Sequence, residues 1–401
     1  MFLIYFLLTG FINPELTNIK SKLIKHNSVK IYKSNTKALK YQQNGIKNYI
    51  APVISLGIKN IPYNFSYQDT AMTGNFFSIS QSFKWGEKLS TKKKIIDSMI
   101  KNNKLKETYF VEQTFIKVSA NYYKIFFLNK KLSEIKNKKA LYRDLVEYLN
   151  NIKTYKKIPE TKIVLLKFKI EKIDLLIEKI ERNKRNLLSQ IETISEVKNL
   201  NFKFNNIKEN IENWELPNNN IKNNQISLSF KEKLIKSQIN ILKSEYKYFK
   251  TLNKPDFKFS FAWLQRFEQK MSDGADLFSL TVSMTLPFWD NKGFSEANKR
   301  LELVNAKELN LNKINYIINS DSEKNEKIFK SYQKSLKICK NTLKPIIKNL
   351  NELNDNNLSY DNSDFTDIIE LKEIMINTSI ECTELSIKAV DTYFNYLFTR
   401  I

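Results

Sequence analysis

The sequence predicts an α+β membrane protein. Four short strands per protomer, twelve in a trimer, would form a β-barrel, and long coiled-coil hairpins would continue it as an α-helical barrel. Three observations carry this reading: two-residue alternation in four segments, a/d seams in three long stretches, and one order of elements in both halves of the chain.

Alternation comes first. Phe278, Leu280, Val282, Met284 and Leu286 alternate with Ser279, Thr281, Ser283 and Thr285, and Phe257, Phe259, Phe261 and Trp263 with Lys258, Ser260 and Ala262. In the first half Ile54, Leu56 and Ile58 alternate with Ser55, Gly57 and Lys59, while Phe77, Ile79 and Phe83 form a fourth series that Gln81 interrupts. Period 2 over about ten residues is the length of a membrane strand. A soluble sheet with one buried face reads the same way locally. Number decides between them, because four strands close no barrel, whereas three copies make twelve, an even number within the outer-membrane range. The expected lipid-facing residues are therefore Ile54, Leu56, Ile58, Phe77, Ile79, Phe257, Phe259, Phe261, Phe278, Leu280, Val282 and Met284. Tyr63, Phe65, Tyr67, Trp85, Phe288 and Trp289 flank the strands and suit either an interfacial girdle or ordinary packing at a strand-to-helix corner.

The helices follow from a different period. Ile163, Leu166, Ile170, Ile173, Ile177, Ile180, Leu187, Ile191 and Ile194 are spaced three and four apart, with Lys184 the one interruption. Phe329, Tyr332, Leu336, Cys339, Leu343, Ile346, Leu350 and Leu353 keep the same rhythm, and Ile125, Leu128, Leu132, Ile135, Tyr142, Leu145, Leu149 and Ile152 nearly do. Such seams are coiled-coil signatures. The run 87–152 would reach about 100 Å at 1.5 Å per residue.

A shift of 203 residues lays Pro52 on Pro255, Ile79 on Val282 and Ser80 on Ser283, and a shift of 205 lays Tyr155 on Tyr360. The chain accordingly divides into a leader-like segment 1–16, a first repeat 17–200, an irregular equatorial segment 201–226 and a second repeat 227–401. The first repeat holds a helix, a β-hairpin 51–86, a long helix 87–152 and a return helix 160–198. The second holds a helix, a β-hairpin 255–289, a long helix 293–353 and a return helix 364–400. The apolar run from Phe2 to Leu8 resembles a signal-peptide core without its basic flank, and no stretch of about 18 apolar residues appears anywhere.

Composition excludes other classes. The net charge is +24, but 60 of the 66 basic residues are Lys, spread along the chain, and only six are Arg. Nucleic-acid readout relies on Arg forks, so no nucleic-acid partner is expected. One His and two Cys without zinc-type spacing, and no phosphate loop or nucleophile elbow, leave no metal site, no cofactor and no enzyme in view.

With these residues in hand the chain resembles the TolC-like outer-membrane efflux family, in particular its CzcC-type branch. The resemblance rests on Pro52 through Asn60-Ile61-Pro62, on Ser80 to Lys88 with Trp85, Gly86 and Lys88 (similar to that branch's Q-x-x-x-W-x-G-K region), on Thr285-Leu286-Pro287-Phe288-Trp289, and on Pro345 followed by Tyr360. It covers roughly residues 40–401. The family's tip glycine is replaced by Lys157 and Asn362, and the N-terminal segment offers no lipobox cysteine. The resemblance implies a homotrimer in the outer membrane extending into the periplasm, docked to a periplasmic adaptor protein and an inner-membrane pump. A periplasmic adaptor or a coiled-coil scaffold remains the alternative reading.

A channel needs a gate. Asp361, Asp364 and Asp367 at the second tip would form acidic rings when tripled, or would cap the next helix and face solvent. Tyr155, Lys156, Lys157 and Tyr360 mark the tips that would meet an adaptor, unless the lysines are simply solvated. Folding the second hairpin at Tyr360 puts Cys339 and Cys382 at one height. Coiled-coil axes stand about 8–10 Å apart, whereas a disulfide usually needs Cα atoms under about 7 Å apart, so a bond between them stays open.

Overall fold

Alternation and seam periodicity resolve into separate elements in the computed structural model, which describes residues 14–46, 50–63, 65, 72–152, 160–198, 200–204, 207, 210–216, 229–267, 275–287, 291–349 and 365–400. In chain order these are α1 (Pro14–Leu23), α2 (Asn27–Ile46), β1 (Val53–Lys59), β2 (Gly74–Lys84), α3 (Lys88–Ile152), α4 (Glu160–Ser195), a 3₁₀ turn (Ile211–Asn213), α5 (Phe230–Leu252), β3 (Asp256–Arg266), β4 (Leu277–Met284), α6 (Lys292–Ile338) and α7 (Phe365–Arg400). The chain forms two compact units, Ile31–Lys106 with Glu232–Ile314, and Met1–Lys30 with Glu107–Lys231 and Asn315–Ile401.

The first of these units holds the sheet. Its four strands are antiparallel in the order β1-β2-β3-β4. A small core of Ile235, Ile239 and Val304, with Leu242, Leu311 and Ile314 against it, packs α5 on α6. Polar ties bind neighbouring helices: Asn103 donates to the Tyr32 carbonyl at 2.7 Å and to Thr36 at 2.8 Å, and Arg300 meets Glu245 at 2.7 Å.

The other unit is helical. The seam residues Leu132, Ile135, Tyr142, Leu145 and Leu149 of α3 interlock with Ile163, Leu166, Ile173 and Ile180 of α4. A larger aromatic core brings Phe115, Tyr122 and Tyr123 of α3 together with Phe329 of α6 and Tyr393, Phe394 and Tyr396 of α7. The equatorial segment fills this core from the side. Trp214 packs edge-on to Tyr123 and Tyr393, with centroids 5.1 and 4.9 Å away, and Phe202 and Phe204 cover Tyr122. Gln333 holds the segment by donating to the Trp214 carbonyl at 2.6 Å, and Lys340 pairs with Glu212 at 2.6 Å. Burial pushes the Tyr123 hydroxyl up to about 12, so it stays neutral at physiological pH.

Charges zip α3 to α7 in a pattern the apolar seams do not reveal. Lys124 pairs with Asp391, Lys131 with Glu384 at 2.5 Å, and Lys138 with Asn377 at 2.6 Å. Both series step by seven residues, the spacing of flanking positions in antiparallel coiled coils. Lys138 and Lys169 also lie 3.5 Å from Glu373, which accepts a hydrogen bond from Tyr142. Burial would raise the Glu373 carboxyl, but the Tyr142 hydroxyl and the two ammonium groups outweigh it and hold the carboxyl below the usual range.

The seam expected on 329–353 requires a correction. Phe329, Leu336 and Cys339 are buried. Cys339–Leu343 then form a π-turn, which inserts one residue into the helical phase. Beyond it Ile346 is 49% exposed and Ile347 takes the half-buried position. The long helix is therefore not one uninterrupted seam.

Cys339 opens that π-turn and is bonded to Cys382, with Cα atoms 6.0 Å apart. Axis spacing was the wrong yardstick. Each Cα lies about 2.3 Å off its own axis, so residues facing one another across helices 8–10 Å apart come within disulfide reach.

Candidate functional site

The sheet is the site, and its register sorts the side chains into two faces. Ile54, Ile79, Phe261 and Leu280 form one cross-strand row, and Leu56, Phe77, Trp263 and Phe278 the next. Phe83, Phe257 and Met284 form a row nearer the helices, with Gln81, Phe259 and Val282 between. Ile58 lies in register with Asn75 and Gln265, so the apolar face ends in amides at the hairpin end. All twelve residues expected to face lipid thus share one side of the sheet, and none of the paired strand residues on that side is charged; Asp276, just ahead of β4, accepts from the Trp263 indole N–H at 3.0 Å at its hairpin end. Leu280 is 79% exposed and Leu56 77%. An exposed apolar face of this extent is the reverse of a soluble sheet, which buries its apolar side. Ring contacts knit it together: Phe261 and Trp263 stack on Phe278 at 6.0 and 6.4 Å, and Phe83 meets Phe259 edge-on at 5.6 Å.

Gln81 is an exception with a cause. Its partner across β1 would be Pro52, which has no N–H to continue the ladder. The Gln81 amide instead donates to the Ile50 carbonyl at 2.5 Å and closes the sheet corner.

The corner from β2 into α3 explains the Trp85-Gly86-Glu87-Lys88 motif. Gly86 and Glu87 both have left-handed backbones, φ +77° and +69°, which turn the chain out of the strand. Trp85 packs edge-on to Phe257 at 5.4 Å while remaining exposed. Its backbone N–H donates to the Asp256 carboxylate at 3.1 Å, and Lys88 reaches the same carboxylate at 2.8 Å and the Lys254 carbonyl at 2.6 Å. The Asp256 N–H donates to the Thr285 hydroxyl at 2.8 Å, so one aspartate ties β2, β4 and α3 to the start of β3. Lys88 belongs to the motif quoted from sequence, whereas its partner Asp256 does not; the signal for Asp256 is an acid at the first position of a strand otherwise free of acids.

Of the other expected positions, Tyr155, Lys156, Lys157, Tyr360, Asp361 and Asp364 lie outside the described residues. Asp367 falls in the first turn of α7. Tyr63 and Phe65 are exposed beyond the hairpin end of β1. No helix among the described residues is long and apolar enough to cross a membrane. Among those residues no group of His, Cys, Asp or Glu is placed to hold a metal ion.

Solved structures that share this fold include outer membrane channels. The chain matches the Campylobacter jejuni CmeC outer membrane channel with a TM-score of 0.71 at 11% identity, over 96% of this chain and 85% of that one. The chain has the fold of an outer-membrane channel. It matches the outer membrane protein VceC of Vibrio cholerae with a TM-score of 0.69 at 8% identity, over 96% and 95% of the two chains. For the open state of the Neisseria gonorrhoeae MtrE outer membrane channel the values are 0.68 and 8%, over 97% and 89%. No family model and no curated sequence matches the chain. What places it beside these channels is fold, carried by the alternation and seam patterns at identities too low for conserved motifs to register.

Proposed function

We propose that this chain is the outer-membrane channel of a tripartite efflux system, of the TolC-like kind and its CzcC-type branch. Three copies join β4 of one sheet to β1 of the next and close a twelve-stranded barrel. The observation that carries this reading is the uncharged, exposed apolar face on a sheet whose β1 and β4 are both edges. Free edges and an exposed apolar face are each a liability in water; closure in a membrane removes both at once. The helices extend into the periplasm and receive substrate from an inner-membrane pump through an adaptor. Tyr155, Lys156, Lys157 and Tyr360 supply the adaptor contact, Asp361, Asp364 and Asp367 the gate, and the two sequence repeats the pseudo-symmetry of each protomer.

The test is extraction of the protein from cell envelopes. A detergent-requiring species near three times 47.4 kDa in the outer-membrane fraction is expected. A soluble monomer would refute the barrel and favour a periplasmic adaptor.

A further inference from the structure

The strands carry their charge on one face. Opposite the apolar rows lie Lys59, Lys84, Lys258 and Arg266, against a single carboxylate, Asp256, which Lys88 meets at 2.8 Å. The cations stand at two levels. Lys59 and Arg266 flank Gly74 at the hairpin end. Lys84 lies opposite Asp256 at the helix end, and Lys258 sits one step further in, between Ser82 and Ser283. Between the levels lie small neutral side chains, among them Ser78, Ser80, Ser260, Ala262, Ser279 and Thr281, and one apolar row, Phe76, Leu264 and Leu277. Lys59, Lys84 and Lys258 are exposed.

We infer that this face makes the membrane-level lumen selective for anions, so that the solutes it passes most readily bear net negative charge, with Lys84 and Lys258 as the main determinants. The inference rests on the channel reading, in which the face opposite lipid lines the pore. Exclusion from lipid accounts for the absence of charge on the apolar face, because acids and bases are both costly there. It does not set the sign on the other face, where four bases stand against one neutralised acid. Threefold repetition brings six Lys84 and Lys258 ammonium groups to neighbouring levels around one water-filled space. Low-dielectric walls then focus their field and raise the local anion concentration, and rings of Lys or Arg are a device of anion pores.

The test measures the electrostatic potential at a chosen thiol. Ser283→Cys, in register with Lys258, and Leu280→Cys, on the apolar face, are each made in the full chain and assayed in outer-membrane vesicles. Two methanethiosulfonate reagents of similar size are compared, one carrying a sulfonate and one a trimethylammonium group. Rates are normalised to those with 2-mercaptoethanol and read against the parent chain. The Ser283→Cys thiol is expected to favour the sulfonate reagent by about tenfold. Adding Lys84→Gln and Lys258→Gln should bring that ratio to about one. A ratio at or below one, or a ratio the double neutralisation leaves unchanged, overturns the inference. Failure of the channel reading looks different, since Leu280→Cys would then react with both reagents as fast as Ser283→Cys.

Discussion

Arginine at position 280 separates a lipid-facing sheet from a water-facing one by the size of its effect. Leu280 is 79% exposed in the single chain and lies mid-strand, in the row with Ile54, Ile79 and Phe261. If that face met water, exchanging an exposed leucine for a charge would change stability by no more than about 0.5 kcal/mol. On the lipid face of a barrel, an arginine near the bilayer midplane costs about 2–4 kcal/mol. Every 1.4 kcal/mol is a factor of ten, so the folded-to-unfolded ratio should fall by about 30-fold to 1,000-fold per protomer. Ser279→Arg is the internal control, one residue away on the charged face, and should stay within about 0.5 kcal/mol of the parent. The assay is denaturant unfolding of the protein in lipid vesicles, with stability taken from midpoint and slope. Equal effects of the two variants, or a larger loss for Ser279→Arg, would refute the assignment of faces.

Three further outcomes follow from the geometry. Gly86→Ala places an L-residue at φ +77° and a methyl 2.1 Å from the Lys254 Cδ. The lysine can move but the backbone cannot, so a loss of about 1–2 kcal/mol is expected in thermal or denaturant unfolding. The Cys339–Cys382 bond closes a 43-residue separation, so the doubly serine-substituted chain should lose up to about 4 kcal/mol by the loop-entropy relation; labelling of the native protein with a thiol reagent, without reductant, should find no free thiol. Glu373 has a carboxyl held low by Tyr142, Lys169 and Lys138. A lowered folded pKa gives stability that is present above the unfolded carboxylate value of about 4.3 and lost as pH falls through the folded value. Glu373→Gln should therefore be about 1–3 kcal/mol less stable at neutral pH, with the deficit vanishing on acidification, as pH-dependent unfolding would show.

How much was legible beforehand depended on whether a feature is periodic. The strand faces were legible because a residue's side follows from counting by two once the register is set, and Gln81 breaks the pattern because its amide closes the sheet corner on the Ile50 carbonyl, a contact that no count along β2 reveals. The seams on α3 and α4 were legible for the same reason. The lysine ladder at 124, 131 and 138 is equally periodic, but an apolar seam carries no information about the charged positions that flank it. The π-turn at Cys339–Leu343 was not legible: one inserted residue has no compositional mark, and its sole trace in the sequence is that Ile346 and Ile347 are interchangeable as hydrophobes.

The sign of the charge on the polar face of the sheet is the harder case, and it shows where pattern reading stops. The lysines of β1, β2 and β3 appeared at first as the polar half of an alternation, with serine and threonine doing the same duty. Polarity suffices to predict which way a strand faces, because lipid rejects acids, bases and amides alike. It says nothing about what the water-filled side does, since that depends on which charges remain uncompensated after folding. Asp256 is the instructive residue. In the sequence it offsets Lys258 two positions away, and a charge count along the strand would be nearly neutral. In the structure its carboxylate is taken up by Lys88 and by the Trp85 backbone N–H at the corner. That capture leaves Lys258 and Lys84 without an acid on their face of the sheet, so in the proposed channel a corner contact whose evident role is to fix a turn would also fix the charge of the pore.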